Sequence, residues 1–209
     1  MDARCVTVGP LQENCYIVRR DGADRALMVD PGDEADRLIA AIDGLTIEAI
    51  LLTHTHFDHV GAVAALARHT QAPVYCPQLE VPILQDINAY LFPGFGPFES
   101  YDPEKTVAGG EQLTIAGIDI DVIFTPGHSP GHVSFSIADE QLLLDGDVLF
   151  QGSIGRFDLP GGDYPTLMQS ISALLSTLPD DTAVLPGHGP ATTLGRERAS
   201  NPFLHELAS

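Results

Sequence analysis

The residues best suited to chemistry are His54, His56, Asp58 and His59, which lie within six positions of one another. Neutral imidazole and carboxylate are preferred ligands of zinc and similar ions, and catalytic metal sites keep a coordination position open for water. A lone loop histidine is usually a solvated residue, but four ligand-type side chains in this order favour a metal site. The segment therefore predicts metal ligands, and it can supply two ligands to each of two ions.

An apolar run precedes this cluster, and it predicts a buried strand over residues 47–53. Side chains in extended backbone alternate with a period of two, so His54 and His56 can point to the same side. Residues 58–69 show apolar side chains at helical spacing, which predicts a helix that begins with Asp58 and His59. These two residues therefore project differently from the first two histidines.

Three later turns repeat this pattern, in which an apolar strand ends and a ligand-type residue follows. They are Pro126-Gly127-His128, Asp145-Gly146-Asp147 and Pro186-Gly187-His188. The ends of strands at one rim of a sheet converge in space, so we expect the four turns to form one site.

The remaining first half of the chain alternates strands and helices. Residues 3–30 predict an antiparallel meander, Leu38 and Ile42 mark a helix, and residues 73–76 predict a further strand. Residues 77–103 contain several prolines and aromatic residues and predict a long loop, either a binding loop or a surface loop packed by its own side chains.

The second half predicts more strands over residues 112–144 and a last strand over 183–185. Asp163 is typical of a helix N-cap, and a long helix with an apolar face follows it. We expect a single α/β domain over residues 1–209, in which two packed sheets are covered by helices on both outer faces.

Composition and charge argue against several classes of protein. With 209 residues, 44% hydrophobic and 19% charged, the chain is expected to bury a substantial core. The net charge of −19 disfavours a nucleic-acid surface, because phosphate binding needs clustered cations. No apolar run approaches the ~18 residues of a membrane span, and residues 1–5 lack the pattern of a signal peptide. We therefore expect no nucleic-acid or membrane partner and a cytoplasmic location.

The ordered motifs resemble those of the metallo-β-lactamase superfamily, and specifically its glyoxalase II branch. The motifs are His54-x-His56-x-Asp58-His59, Pro126-Gly127-His128-Ser129-Pro130-Gly131-His132, Gly146-Asp147 and Pro186-Gly187-His188-Gly189. The resemblance implies a four-layer αββα sandwich with a two-metal site between the sheets. It implies further that one ion is held by His54, His56 and His128, the other by Asp58, His59 and His188, with Asp147 bridging both.

The same resemblance suggests residues that support the site. Asp30 lies in a corner, Asp30-Pro31-Gly32, that is similar to the family's early corner, where the carboxylate holds the ligands in place. His132 and Asp145 have ligand-type spacing, but we expect them to be structural, to orient a ligand or to cap a turn. Residues 152–163 and 197–204 resemble the short bacterial members, so we expect no separate C-terminal glutathione-binding domain.

Other reactive residues lack supporting partners in the sequence. His69 and His205 are expected at the surface. Cys5, Cys15 and Cys76 form no CxxC motif and are expected to be ordinary buried thiols. No GxSxG nucleophile elbow is present, so a serine-hydrolase mechanism has little support.

These features predict a metal-dependent hydrolase with two divalent ions; zinc is expected, and iron or manganese suit the same ligands. The expected nucleophile is a hydroxide that bridges the ions, with His54, Asp58 and Asp147 as catalytic residues. A thiolate is a good leaving group and scarcely needs a general acid. We therefore expect a small-molecule thioester substrate such as S-D-lactoylglutathione.

Three other functions stay open at this point. A persulfide dioxygenase is similar in sequence but uses a single iron, so metal analysis would discriminate. Lactonase or β-lactamase activity is a further enzymatic alternative. A non-catalytic binding role has less support, because a binding module has no need for open metal positions.

Overall fold

Two six-stranded β-sheets lie face to face in the computed structural model, which describes residues 1–204. The first sheet keeps its strands in sequence order; the first three pair antiparallel and the others pair parallel. Its strands are β1 (Asp2–Val8), β2 (Glu13–Arg19), β3 (Arg25–Val29), β4 (Thr46–Leu51), β5 (Val74–Pro77) and β6 (Lys105–Val107).

The second half of the chain forms the second sheet and a small two-stranded ribbon. The strands are β7 (Gln112–Ile115), β8 (Ile118–Phe124), β9 (Val133–Ile137), β10 (Leu142–Gly146), β11 (Leu149–Phe150), β12 (Ser153–Ile154), β13 (Ala183–Pro186) and β14 (Thr192–Thr193). The order across the sheet is β14-β13-β10-β9-β8-β7, and β10 and β13 pair parallel. Strands β11 and β12 form the ribbon.

Helices cover the outer face of each sheet. The helices are α1 (Ala35–Ala41), α2 (Phe57–Val60), α3 (Val63–Thr70), α4 (Val81–Gln85), α5 (Tyr164–Thr177) and α6 (Leu194–Ser200). Leu38 of α1 and Leu66 of α3 share an apolar cluster with the first sheet, and Leu167 and Leu174 of α5 share one with the second. The predicted αββα sandwich is therefore confirmed.

The alternation of side chains in β3 shows how a strand serves two layers. Leu27 and Val29 belong to the cluster between the sheets, whereas Ala26 and Met28 belong to the cluster under the helices. All four are buried. Full burial of a side chain as large as Leu27, Met28 or Val29 stabilises the fold by roughly 1.5–3 kcal/mol. A strand covered on both faces has to be apolar throughout, which is the pattern that the sequence shows.

The single helix predicted over residues 58–69 is wrong, because Gly61 and Ala62 separate α2 from α3. The N–H of Ala62 donates to the carbonyl of Pro31 at 3.0 Å. A Cβ on Gly61 would lie 2.5 Å from the carbonyl oxygen of Gly32, so this close approach requires glycine. Helical periodicity detects the apolar positions but not a contact with a distant loop.

Residues 77–103 contain more regular structure than the predicted loop. Two short 3₁₀ helices, over residues 78–80 and 87–90, lie on either side of α4. The remainder, from Leu91 to the start of β6, has no regular structure. The prolines interrupt the helical pattern often enough to hide these short elements from a periodicity test.

Two smaller predictions are also wrong. Residues 183–185 do not form the last strand, because β14 follows and pairs antiparallel with β13. Cys5 is exposed on the edge strand β1, whereas Cys15 and Cys76 are buried as expected. None of the helices within residues 1–204 combines the length and the apolar character that crossing a membrane requires.

Candidate metal centre

The four turns singled out in the sequence meet at one rim of the sandwich. The turn after β4 and helix α2 carry the first four candidate ligands, and the turns after β8, β10 and β13 carry one each. The structure brings together all seven candidate ligands, which are His54, His56, Asp58, His59, His128, Asp147 and His188.

Three imidazoles, those of His54, His56 and His128, form what we call the first donor group. His54 Nε2 lies 3.1 Å from His56 Nδ1 and 3.2 Å from His128 Nε2, and the latter two nitrogens lie 2.8 Å apart. Nitrogens bound to one tetrahedral zinc ion lie about 3.3 Å from one another, so these three can share an ion. Burial lowers the pKa of all three side chains, that of His56 to about 3, which favours the neutral form that binds metal.

The second donor group contains Asp58, His59 and His188. His188 Nε2 lies 3.2 Å from Asp58 Oδ2, and His59 Nε2 lies 4.0 Å from the same oxygen. Burial disfavours the charged form of all three side chains. Even so, the hydrogen bond between Asp58 and His188 lowers the pKa of Asp58 and raises that of His188. The pKa of His59 is likewise raised despite burial, chiefly by the charge of Asp147. The surrounding carboxylates therefore favour positive charge at this position, which is what a metal ion would supply.

The carboxylate of Asp147 lies between the two donor groups. Its Oδ1 is 3.5 Å from His59 Nε2, and its Oδ2 is 3.5 Å from His128 Nε2 and 3.6 Å from His188 Nε2. Burial alone would raise the pKa of Asp147, but the nearby His59 charge holds it well below its usual range. One carboxylate can therefore contact ions in both groups.

Two buried polar atoms at this rim, His59 Nε2 and Asp147 Oδ1, have no hydrogen-bond partner among the described residues. Leaving such an atom unpaired costs about 1–3 kcal/mol. Metal coordination would satisfy both atoms, and a set of imidazoles and carboxylates without thiolate suits zinc, iron or manganese. The residues present therefore fit divalent metal ions.

Asp30 and Thr53 determine which ring nitrogen of His54 and of His59 is available to bind an ion. Asp30 Oδ2 accepts from the Thr53 hydroxyl at 2.6 Å and lies 3.0 Å from His59 Nδ1. Because the hydroxyl donates to Asp30, it accepts from His54 Nδ1, at 3.0 Å. Both imidazoles therefore carry the proton on Nδ1 and direct Nε2 to the donor groups. Asp30 has a φ of 49°, a left-handed conformation that Asp tolerates better than most residues.

His132 and Asp145 hold the turn that carries Asp147. His132 Nε2 accepts from the Asp147 N–H at 3.1 Å, and its Nδ1 lies 2.9 Å from the Thr125 hydroxyl. Asp145 Oδ2 accepts from the Leu149 N–H at 2.8 Å. Since both ring nitrogens of His132 are engaged, the structure gives it a positioning contact and no free donor for an ion.

Glu80 is a buried residue of this region that the sequence did not reveal. Its Oε2 accepts from the Thr55 hydroxyl at 2.8 Å, and its Oε1 accepts from the Ser129 hydroxyl at 2.8 Å and the Gly131 N–H at 2.7 Å. The carboxylate therefore ties the turn of His54 and His56 to the turn of His128. Its partners lie between 25 and 51 residues away in the chain, so no local spacing signals the contact.

The turn that carries His188 is held by β2. Asn14 Nδ2 donates to the carbonyls of Pro186 at 3.1 Å and Gly189 at 2.8 Å, and the Tyr16 hydroxyl donates to Pro186 at 2.8 Å. A Cβ on Gly187 would lie 2.3 Å from Asp147 Oδ1, so the ligands can approach only because this residue is glycine. The remaining histidines lie elsewhere: His69 is exposed on α3, and His205 lies outside the described residues.

A cleft of about 630 Å³ opens above the donor groups. Its floor includes His56, Asp58, His128, Asp147 and His188, and most of the other side chains that line it are apolar. A concave apolar cleft with a few polar groups at its base is the usual form of a small-molecule site.

Comparisons with known proteins identify the family that the sequence motifs resemble, and the matches extend over most of the chain. A family model described as the metallo-beta-lactamase superfamily matches residues 8–188. The chain is 42% identical to the probable metallo-hydrolase YqgX of Bacillus subtilis, over 98% of each protein. It is 38% identical to the hydroxyacylglutathione hydrolase GloC of Haemophilus influenzae, over 98% of this chain and 99% of that protein.

Two solved structures are similar over nearly the whole chain. The BLEG-1 B3 metallo-beta-lactamase has 41% sequence identity and a TM-score of 0.92, covering 98% of this chain and 100% of that one. TTHA1623, solved in a di-iron-bound form, has 45% identity and a TM-score of 0.88, covering 96% and 100%. Proteins with this sandwich therefore include one named for β-lactam cleavage and one that binds iron.

Proposed function

Since this chain belongs to the metallo-β-lactamase superfamily and is a metallo-hydrolase, we propose that it cleaves acyl thioesters in a site that holds two divalent ions. S-D-lactoylglutathione is the reference substrate for the proposal. The observation that carries it is the Asp147 carboxylate, which lies about equally far from nitrogens of both donor groups, at 3.5 and 3.6 Å.

In this proposal the residues at the rim have different roles. The first donor group would hold one ion, the second would hold the other, and Asp147 would contact both. When bound, the ions would lower the pKa of a water molecule toward neutrality and polarise the substrate carbonyl. Asp58 lines the cleft, and its pKa lies below the usual range, so its ionised carboxylate can accept a hydrogen bond from the attacking water and orient it.

A shortage of uncommitted proton donors supports a thioester over an ester or amide with a poor leaving group. The histidines and carboxylates among the described residues that line the cleft are candidate metal ligands, and the lining holds no further histidine, lysine or cysteine that could act as a general acid. A thiolate leaves without prior protonation, whereas an amine or alkoxide needs a proton. The name of the GloC relative, a hydroxyacylglutathione hydrolase at 38% identity, points to the same bond.

A β-lactam is the second candidate substrate, because BLEG-1 matches this chain with a TM-score of 0.92 and is named a metallo-beta-lactamase. The alternative of a single-iron persulfide dioxygenase needs only one occupied donor group. The complete second group, Asp58 with His59 and His188, is what favours the two-ion hydrolase.

Metal quantification followed by a substrate panel tests the proposal. Zinc-, iron- or manganese-loaded protein is incubated with S-D-lactoylglutathione, other thioesters, a β-lactam and a persulfide, with His54→Ala as the control. We expect two ions per chain and thioester turnover well above the control. Turnover no higher than that of His54→Ala would refute it, and faster β-lactam cleavage would favour the second candidate. One iron per chain with oxygen-dependent persulfide consumption would indicate the dioxygenase.

A further inference from the structure

One wall of the cleft is apolar and comes from the segment over residues 83–92. Ile83, Tyr90, Leu91 and Phe92 line the cleft there, and Leu11 lines it from the loop after β1. Tyr90 is 55% exposed and Phe92 is 43% exposed. Large apolar side chains left in water beside a reaction centre are typical of a surface that binds an apolar ligand.

This wall is held in place by contacts with Phe57 and Phe98. Asn88 Nδ2 donates to the Phe98 carbonyl at 2.7 Å, and Asn88 Oδ1 accepts from the Phe98 N–H at 3.0 Å. The ring of Phe92 packs edge-on against that of Phe57, with centroids 6.0 Å apart. Because Phe57 follows His56 directly, the wall is tied to the turn of the first donor group.

The cleft offers little positive charge to a substrate outside the metal centre. Arg156 is the one lysine or arginine among the described residues that line it. Its guanidinium already pairs twice with Asp158, with Nε 2.9 Å from Oδ1 and Nη2 3.0 Å from Oδ2. A substrate carboxylate would therefore have to compete with Asp158 for its partner.

From this wall and this paired arginine we infer that the preferred substrate is a thioester of an uncharged, apolar thiol. The inference rests on the proposed thioester hydrolysis and narrows it. The reacting carbonyl must lie at the donor groups and a hydroxyacyl group is small, so the thiol part fills most of the cleft. An apolar thiol is then removed from water against Tyr90 and Phe92. Glutathione instead carries two carboxylates, and outside the metal centre the described residues that line the cleft offer them only Arg156, which is paired with Asp158.

Three thioesters with the same D-lactoyl group test the inference on metal-loaded protein. Their thiols are benzyl mercaptan, which is uncharged and aromatic, 3-mercaptopropionate, which carries one carboxylate, and glutathione. All three are alkyl thiols, and the rate at which hydroxide alone cleaves each thioester corrects kcat/KM for differences in thiol acidity, so the remaining differences report binding of the thiol part. We expect kcat/KM for the benzyl thioester to exceed that for S-D-lactoylglutathione by about tenfold or more.

A matched pair of variants locates the effect. Phe92 lines the cleft, and Phe124, at the end of β8, lies outside it with a similar exposure, 43% against 46%. We expect Phe92→Ala to lower kcat/KM for the benzyl thioester by about fivefold and for the other two by less than about twofold. Phe124→Ala should change none of the three. Metal content and circular dichroism of both variants show whether a loss of folding or of ions accounts for any change.

The outcomes separate this inference from the proposed function. If S-D-lactoylglutathione is hydrolysed as efficiently as the benzyl thioester, or if Phe92→Ala lowers all three rates equally, the apolar-thiol inference is wrong while thioester hydrolysis stands. If none of the three thioesters is hydrolysed faster than by His54→Ala, the proposed function fails and this inference fails with it.

Discussion

The two donor groups differ in charge and in access to solvent. The first consists of three imidazoles whose pKa values burial lowers, and it carries no charge of its own. The second contains a carboxylate and two imidazoles whose pKa values are raised, and its His188 side chain is 26% exposed whereas His54 is fully buried. The imidazoles of the second group can pair as cations with Asp58 and Asp147, whereas those of the first group are neutral and have their turns joined by Glu80. Metal binding at the two groups should therefore respond differently to mutation and to pH.

The largest effect is expected from Asp147→Ala, because this carboxylate faces both groups. The variant should lose both ions and reduce hydrolysis by about 10³-fold or more. Metal analysis and thioester turnover measure the two effects. Asp139→Ala, which removes an exposed carboxylate paired with Arg20, is the control. Retention of two ions in Asp147→Ala would contradict its position between the groups.

Next in size, His188→Ala and His56→Ala should act on different ions. His188→Ala removes a ligand of the second group and should leave about one ion per chain, whereas His56→Ala should weaken the first. We expect a loss of activity of about 100-fold or more in each variant. Titration of each metal-free variant with zinc measures the affinities. Identical loss of both ions in the two variants would mean that the groups do not bind independently.

Acidification should release the second ion before the first. The raised pKa values of His59 and His188 keep these imidazoles protonated up to a higher pH, so protons compete with the second ion over the neutral range. The lowered pKa values of the first group keep its imidazoles neutral there. Between about pH 7.5 and 6, the affinity of the second donor group for its ion should fall by up to about tenfold per pH unit for each proton that the ion must displace. Competition titrations with a chelator at each pH measure this, and parallel losses of both affinities would remove the proposed difference.

A smaller loss of metal affinity is expected from Glu80→Gln, and it should be confined to the first donor group. The amide keeps the shape but can no longer accept on both ends, so the turns of His56 and His128 lose a shared anchor. Affinity for the first ion should fall by about 10-fold, with the second ion little affected. Glu99→Gln, an exposed carboxylate paired with Arg68, should change neither affinity.

A last prediction concerns stability and leaves metal affinity aside: it involves Glu13, a buried neighbour of the second group whose two carboxylate oxygens have no hydrogen-bond partner among the described residues. Burial raises its pKa well above the usual range, while the charge of His59 opposes the shift. A carboxyl with a raised folded-state pKa makes the fold less stable as pH rises from about 4.3 through that pKa. Glu13→Gln should therefore stabilise the metal-free protein by about 1–3 kcal/mol at pH 8 and by less at pH 5. Thermal unfolding in chelator at the two pH values measures the difference, and an equal gain at both would contradict it.

The sandwich and the candidate ligands could be predicted because their signals are local. An apolar strand followed directly by His54, Asp147 or His188 is visible within ten residues of sequence, and the strand ends place these turns at one rim. The metal roles of single ligands came from the family resemblance rather than from spacing. The structure adds the distances between the donor atoms of each group and between the groups and Asp147.

The features that sequence could not predict depend on contacts between distant segments. The break at Gly61 follows from the approach of the Gly32 carbonyl, and the role of Glu80 follows from partners in two other loops. The pairing of Arg156 with Asp158 is local, yet its importance depends on the apolar wall from residues 83–92. Tertiary contacts of this kind leave no periodic signal.

The distribution of the donor groups over the sandwich has a consequence beyond catalysis. Each group takes two members from the first sheet's side, on the turn after β4 and on α2, and its third from a turn of the second sheet. An ion in either group would therefore clamp the two halves of the chain together, much as a disulfide would. Its binding adds to the free energy of unfolding, by about 4 kcal/mol when free metal is 1,000 times its Kd. Because proteolysis follows the population of opened molecules, a shortage of metal would shorten the lifetime of the folded chain as well as stop its reaction.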